Sequence, residues 1–135
     1  MARISKEETP AGVPQPLHFL IVEDNPDGRE SLRTLLHLYG HQVDVASDGK
    51  EGVEKALSLR PHIALVDIGL PVLDGYQVAR RLREGLGSGI RLVACTAYSM
   101  PEQRRQATEA GFDHFLVKPF EVDELFSWLL KEKGD

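Results

Sequence analysis

Five short apolar segments alternate with five helix-patterned ones along this chain, and that alternation leaves few folds open. "HFLIV" (18–22), "QVDVA" (42–46), "HIALVD" (62–67), "IRLVACT" (90–96) and "HFLVK" (114–118) have the length and apolar content of strands. Between and after them come "PDGRESLRTLLHLYG" (26–40), "GKEGVEKALSL" (49–59), "GYQVARRLREG" (75–85), "PEQRRQATEAG" (101–111) and "VDELFSWLLKEK" (122–133), which read as helices. Asn25, Asp48 and Asp74 stand where N-caps belong, Pro26 lies in the first turn and Gly40 follows the first helix. In that helix Leu32, Leu35, Leu36 and Tyr39 recur at helical spacing, and in the last one Val122, Leu125, Phe126 and Leu129 do.

Strands that alternate with helices of about ten residues form right-handed crossovers on a parallel sheet, with helices on both faces. Five such units over residues 17–135 suit a doubly wound, flavodoxin-like (βα)5 α/β fold with strand order 2-1-3-4-5. The most apolar strand, 62–67, is expected at the centre. Residues 1–16, "MARISKEETPAGVPQP", read as a flexible, proline-punctuated tail.

Composition removes several alternatives. At 135 residues the chain makes one domain with a real core. No apolar run approaches a membrane span, and the N-terminal stretch lacks the apolar segment of a secretory signal. A single cysteine, Cys95, excludes an intramolecular disulfide and a multi-cysteine metal site. A cytoplasmic address follows as the default. A formal charge of −5 argues against a nucleic-acid surface.

Ligands of doubly wound sheets sit beyond the carboxyl ends of the strands, at the switch point between strands one and three. Those strands end in "IVEDN" and "LVDIG", so Glu23, Asp24 and Asp67 should converge. A lone Asp after a strand is most often a cap or a turn residue, as Asp48 and Asp74 are expected to be. Three acids on adjacent strand ends are different, because two carboxylates about 4 Å apart repel by roughly 4 kcal/mol at an effective dielectric near 20. A cation between them or shifted protonation must relieve this. Hard oxygen donors in an open site favour Mg²⁺ with waters retained. The fourth strand ends on Thr96 and the fifth on Lys118. Taken singly these read as a helix cap and a surface charge. Grouped with the acids they supply a carboxylate nucleophile, a metal, a hydroxyl and an ammonium around one oxyanion position, the parts of phosphoryl transfer.

Together "VEDN", "LVDIGLPVLDGY", "CTAY" and "VKPF" resemble the receiver domain of two-component response regulators, and the resemblance runs from residue 18 to about 133. It implies phosphorylation of Asp67 by a histidine kinase or a histidine-phosphotransfer protein. It further implies Mg²⁺ held by Asp24 and Asp67 directly, by Glu23 through water and by the Gly69 carbonyl. Thr96 would hydrogen-bond the phosphoryl group, Lys118 would pair with its charge, and Phe115 would be the switch aromatic. Vacated space near Thr96 would then couple the site to the face made by the 101–111 helix, the 114–118 strand and the 122–133 helix, where a downstream protein would dock. Some receivers also form homodimers there. The 101–111 helix has few apolar anchors and is expected to be loosely held. Gly69 and Tyr98 occupy the positions that tune phosphoryl lifetime, and the bulk of Tyr98 points to slowed hydrolysis.

Other function classes fit less well. A pseudo-receiver that binds partners without phosphate would not need Asp67, Thr96 and Lys118 together. A Mg²⁺-dependent phosphatase would need a second acid to protonate its leaving group, and no Asp-x-Asp pair follows Asp67. The expectation is therefore a phospho-accepting signalling module rather than an enzyme acting on other molecules. It would be either a stand-alone regulator, which the initial Met mildly favours, or a receiver from a hybrid sensor kinase.

Overall fold

The structure, a computed structural model, describes residues 16–70, 72–97 and 100–134. Its elements are β1 (His18–Val22), α1 (Pro26–Leu38), β2 (Gln42–Ala46), α2 (Gly49–Leu59), β3 (Ile63–Asp67), α3 (Gly75–Leu86), β4 (Arg91–Thr96), α4 (Pro101–Ala110), β5 (His114–Val117) and α5 (Val122–Gly134). All four strand pairings are parallel, in the order β2-β1-β3-β4-β5. The expected doubly wound sheet is present, with the apolar β3 at its centre. The tail expected over residues 1–16 lies almost wholly outside the described residues.

Alternation along each strand divides the core in two. Leu20 and Val22 of β1 join Ala64 and Val66 of β3 beneath α2, α3 and α4. Phe19 and Ile21 join Ile63 and Leu65 on the opposite face, beneath α1 and α5. Val122, Leu125, Phe126 and Leu129 all point inward from α5 as their spacing requires.

The caps explain where the helices begin. The Asn25 side chain accepts from the amides of Asp27 and Gly28, and Asp48 accepts from Glu51. Asp74 and Gln77 form a reciprocal capping box. Asp48 and Asp74 are thus the structural caps their positions suggest. α1 stops at Leu38, one residue before the expected end, because Tyr39 already caps it and Gly40 turns with φ +92°. The four-residue stripe of α1 is only partly used. Leu36 is fully buried, but Leu35 is 38% exposed. Leu36 faces the sheet directly, whereas Leu35, about 100° further around the helix, is left at the margin of the contact.

α4 buries only Ala107 and Ala110, and its N-cap, Met100, has no side-chain oxygen to offer the first turn. The scarcity of apolar anchors read from its composition is therefore present in the fold.

One buried polar group was not visible in the sequence patterning. His41 is 2% exposed, and its Nδ1 accepts the Leu17 amide at 3.0 Å. A backbone N–H can only donate, so the proton of this neutral ring sits on Nε2, which has no partner among the described residues. Phe19 and Phe126 surround the ring, at 5.2 and 5.8 Å between centroids. Burial in these apolar surroundings pushes the His41 pKa below its ordinary value. A folded-state pKa below the unfolded one means that the unfolded chain binds the extra proton. Stability from this group is then complete above the unfolded value of about 6.5 and is lost as pH falls below it. Melting temperature should drop between pH 7 and pH 5, and His41→Phe should flatten that slope. An unchanged slope in the variant would assign the effect to other groups.

Candidate functional site

β1 and β3 are neighbours that both end at the upper edge of the sheet, so Glu23, Asp24 and Asp67 arrive together. One carboxylate oxygen from each lies within 4.8 Å of the others. Their surroundings differ. Glu23 is buried, Asp67 is half-buried and Asp24 is exposed. Glu23 accepts the Lys118 ammonium at 2.5 Å and the Asn25 amide at 3.2 Å. Arg29 reaches back to the Glu23 carbonyl at 2.9 Å. Lys118 Nζ stands 3.5 Å from Asp67 Oδ2, so one ammonium faces two carboxylates. Burial alone would lower the Lys118 pKa, but the Glu23 hydrogen bond and the charges of Asp67 and Glu23 outweigh it, and the net direction is upward. Lys118 therefore stays charged. Direct pairing of Lys118 with Glu23 was not legible in the sequence, since 95 residues separate them and only the sheet order joins them.

Asp67 is held from behind. The Ile68 amide donates to the Cys95 carbonyl at 3.1 Å, and the Gly75 amide donates to the Ile68 carbonyl at 2.9 Å. A Cβ on Gly75 would stand 2.7 Å from the Asp67 carbonyl oxygen, so only glycine lets α3 approach this closely. Asp67 Oδ1 accepts the Gly69 amide at 3.1 Å, which leaves Oδ2 toward Lys118. Gly69 is exposed, and a side chain there would begin 4.0 Å from Asp67 Oδ1. Beside it in the same loop, Val72 has φ +72° and is 76% exposed, a costly conformation for a β-branched residue.

Thr96 ends β4 with 4% exposure, and its carbonyl accepts the Lys118 amide at 2.7 Å. It caps no helix, since α4 begins at Pro101 after Met100. Phe115 pairs with Ala94, two residues before Thr96 on the same face of the sheet. Its half-buried ring is covered by the Arg104 guanidinium of α4, 4.6 Å from the centroid. That contact, absent from the sequence reading, ties α4 to the aromatic. Cys95, paired in register with Asp67, is fully buried, and burial pushes its thiol up to about 12. It remains a protonated, inert core group beside the acids. Tyr98 lies outside the described residues.

The donor set fits Mg²⁺. Three hard carboxylates share one small patch, one of them open to solvent, and a single ammonium meets two of them. Glu23 is engaged by Lys118 and Asn25, and Asp67 by Lys118 and the Gly69 amide, which leaves the exposed Asp24 as the freest of the three ligands.

The model of the response regulator receiver domain matches residues 19–129. The chain belongs to the receiver domain family. It is 37% identical over 112 residues to the response regulator MprA of Mycolicibacterium vanbaalenii, covering 83% of this chain and 48% of that protein. The chain thus spans about half the length of such relatives. The receiver domain of a sensor histidine kinase from Pseudomonas aeruginosa, solved with a magnesium ion coordinated in its active-site cleft, superposes with a TM-score of 0.79 at 32% identity. That match covers 89% of this chain and 99% of the other. A putative response regulator from Chloroflexus aurantiacus gives 0.80 at 29% identity, over 90% of this receiver and all of that chain. Among the described residues no helix is long and apolar enough to cross a membrane.

Proposed function

We propose that this receiver accepts a phosphoryl group on Asp67 from a histidine kinase or a histidine-phosphotransfer protein, with Mg²⁺, and signals through its α4-β5-α5 face. The observation that carries the reading is the convergence of Glu23, Asp24 and Asp67 with Lys118 at the switch point of the sheet. Asp67 Oδ2 is the nucleophile. Bound Mg²⁺, held by Asp24, Asp67 and the Gly69 carbonyl, with Glu23 acting through water, would neutralise the incoming oxygens and those that develop in the transition state. Lys118 neutralises a further part of the roughly two negative charges that phosphorylation adds.

The Thr96 hydroxyl is the donor for a phosphoryl oxygen. Its approach toward Asp67 opens space on the face it shares with Phe115, into which the ring turns. Inward rotation removes the ring from beneath Arg104, and a loosely anchored α4 then shifts. Phosphorylation moves the balance of two pre-existing arrangements. The outcome is a changed surface for a downstream protein, or for a second copy of the chain, rather than turnover of a substrate.

Incubation with acetyl phosphate and Mg²⁺ tests the reading. One stable phosphoryl gain supports it. No gain would favour a phosphate-independent docking module, and continuous release of phosphate with multiple turnovers would favour a hydrolase.

Mg²⁺ binding has its own signature. A ligand present at ten times its Kd stabilises a fold by about 1.4 kcal/mol, which raises the melting temperature by roughly 5 °C for a domain of this size. Such a rise is expected for this protein and should vanish in Asp24→Asn. An equal rise in the variant would place the cation elsewhere.

A further inference from the structure

A cleft of about 640 Å³ opens from the acidic patch and runs between α1 and the start of α5. Asp67, Glu23 and Lys118 stand at one end of it. Beyond them, apart from Asn25 and Ser31, the lining is mainly apolar: Ile21 and Leu65 from the sheet, Leu32 and Leu35 from α1, Phe120 and Val122 from the opposite side. Leu35 is the one residue of the α1 stripe that is exposed rather than packed against the core. The volume lies within the range of small-molecule sites, which are apolar concavities with a few polar groups at one place.

The charge arrangement restricts the occupant. One end offers an ammonium, a nucleophilic carboxylate and a metal-binding patch, which call for a phosphoryl group. The rest offers mainly hydrocarbon. A molecule that matches both halves carries phosphate on a short apolar body. Building on the reading of Asp67 as phospho-acceptor, we propose that the cleft receives the alkyl chain of an acyl phosphate, so that butyryl phosphate is a better direct donor to Asp67 than acetyl phosphate. In the transfer, an Asp67 carboxylate oxygen forms a bond to phosphorus while the bond from phosphorus to the acyl carboxylate oxygen breaks. The electron pair leaves with the carboxylate, and no proton or further reactant is needed. The free fatty acid anion departs as the alkyl chain leaves the cleft.

Acetate and butyrate are leaving groups of nearly equal basicity, so the ratio of their rates reports the chain's contacts. Each buried methylene contributes about 0.8 kcal/mol, or roughly fourfold, and two partly buried ones should favour butyryl phosphate by about tenfold. The measurement is the second-order rate of phosphoryl gain for the full chain at sub-saturating donor with Mg²⁺, repeated in Leu35→Asp. Leu35 stands at the exposed rim, and its substitution leaves the buried core intact. A tenfold ratio that falls toward one in the variant supports the proposal. Equal rates for the two donors in the native protein overturn it while leaving Asp67 as acceptor. A ratio that survives in Leu35→Asp also overturns it, since the preference then arises outside the cleft. Absence of phosphoryl gain from either donor removes the phospho-acceptor reading, and this proposal with it.

Discussion

Asp67→Asn is expected to abolish phosphoryl labelling outright: after incubation with acetyl phosphate and Mg²⁺ the native chain gains one phosphoryl group by intact mass and the variant gains none. An amide is nearly the same shape as the carboxylate but is no nucleophile toward phosphorus. The substitution also removes one of three crowded negative charges, so the fold has no reason to suffer. Lys118 keeps its closer partner, Glu23 at 2.5 Å. Oδ1 of the residue can still accept the Gly69 amide. Loss of labelling with an unlowered melting temperature would therefore be a chemical effect. A variant that labelled as the native protein does would move the acceptor to a neighbouring acid, with Asp24 the first to examine.

The second large effect concerns stability. A Cβ on Gly49 would fall 2.1 Å from the Leu73 carbonyl oxygen and 2.9 Å from its carbon. Backbone cannot change rotamer to escape, so the first turn of α2 or the loop after Asp67 must move. Gly49→Ala should cost about 3 kcal/mol, the upper part of the range for overpacking, and lower the melting temperature by roughly 10 °C. Gly28 is the control. It is exposed in α1, and a Cβ there would meet only Glu23 Oε1 at 4.0 Å. Gly28→Ala removes a helix-weakening glycine and should be neutral or stabilising by up to about 1 kcal/mol. Equal losses in both variants would contradict the close approach of α2 to the Asp67 loop.

These two glycines also show what the sequence could and could not convey. Strand and helix alternation, helix caps and the carboxylates at the strand ends are local patterns. They were enough to place the sheet order and to bring Glu23, Asp24 and Asp67 together. Element ends differed by one or two residues, because caps such as Tyr39 and Gly111 decide them through backbone geometry. What stayed hidden depends on distances between remote segments. Gly49 against Leu73, Lys118 against Glu23 and Arg104 over Phe115 are contacts that no periodicity announces. Leu35 misled for a related reason, since helical spacing marks an apolar stripe without saying how much of it the sheet can cover. His41 was silent because a histidine at a helix-to-strand turn has no pattern of its own.

Crystals grown with Mg²⁺ and beryllofluoride would test the central claim most directly. The expected result is an ion bound by Asp24, Asp67 and the Gly69 carbonyl, with the fluoride adduct on an Asp67 oxygen and Lys118 and Thr96 in contact with it. An empty acidic patch and an unmodified Asp67 under those conditions would contradict it, leaving the convergence of these side chains without a phosphoryl-transfer role.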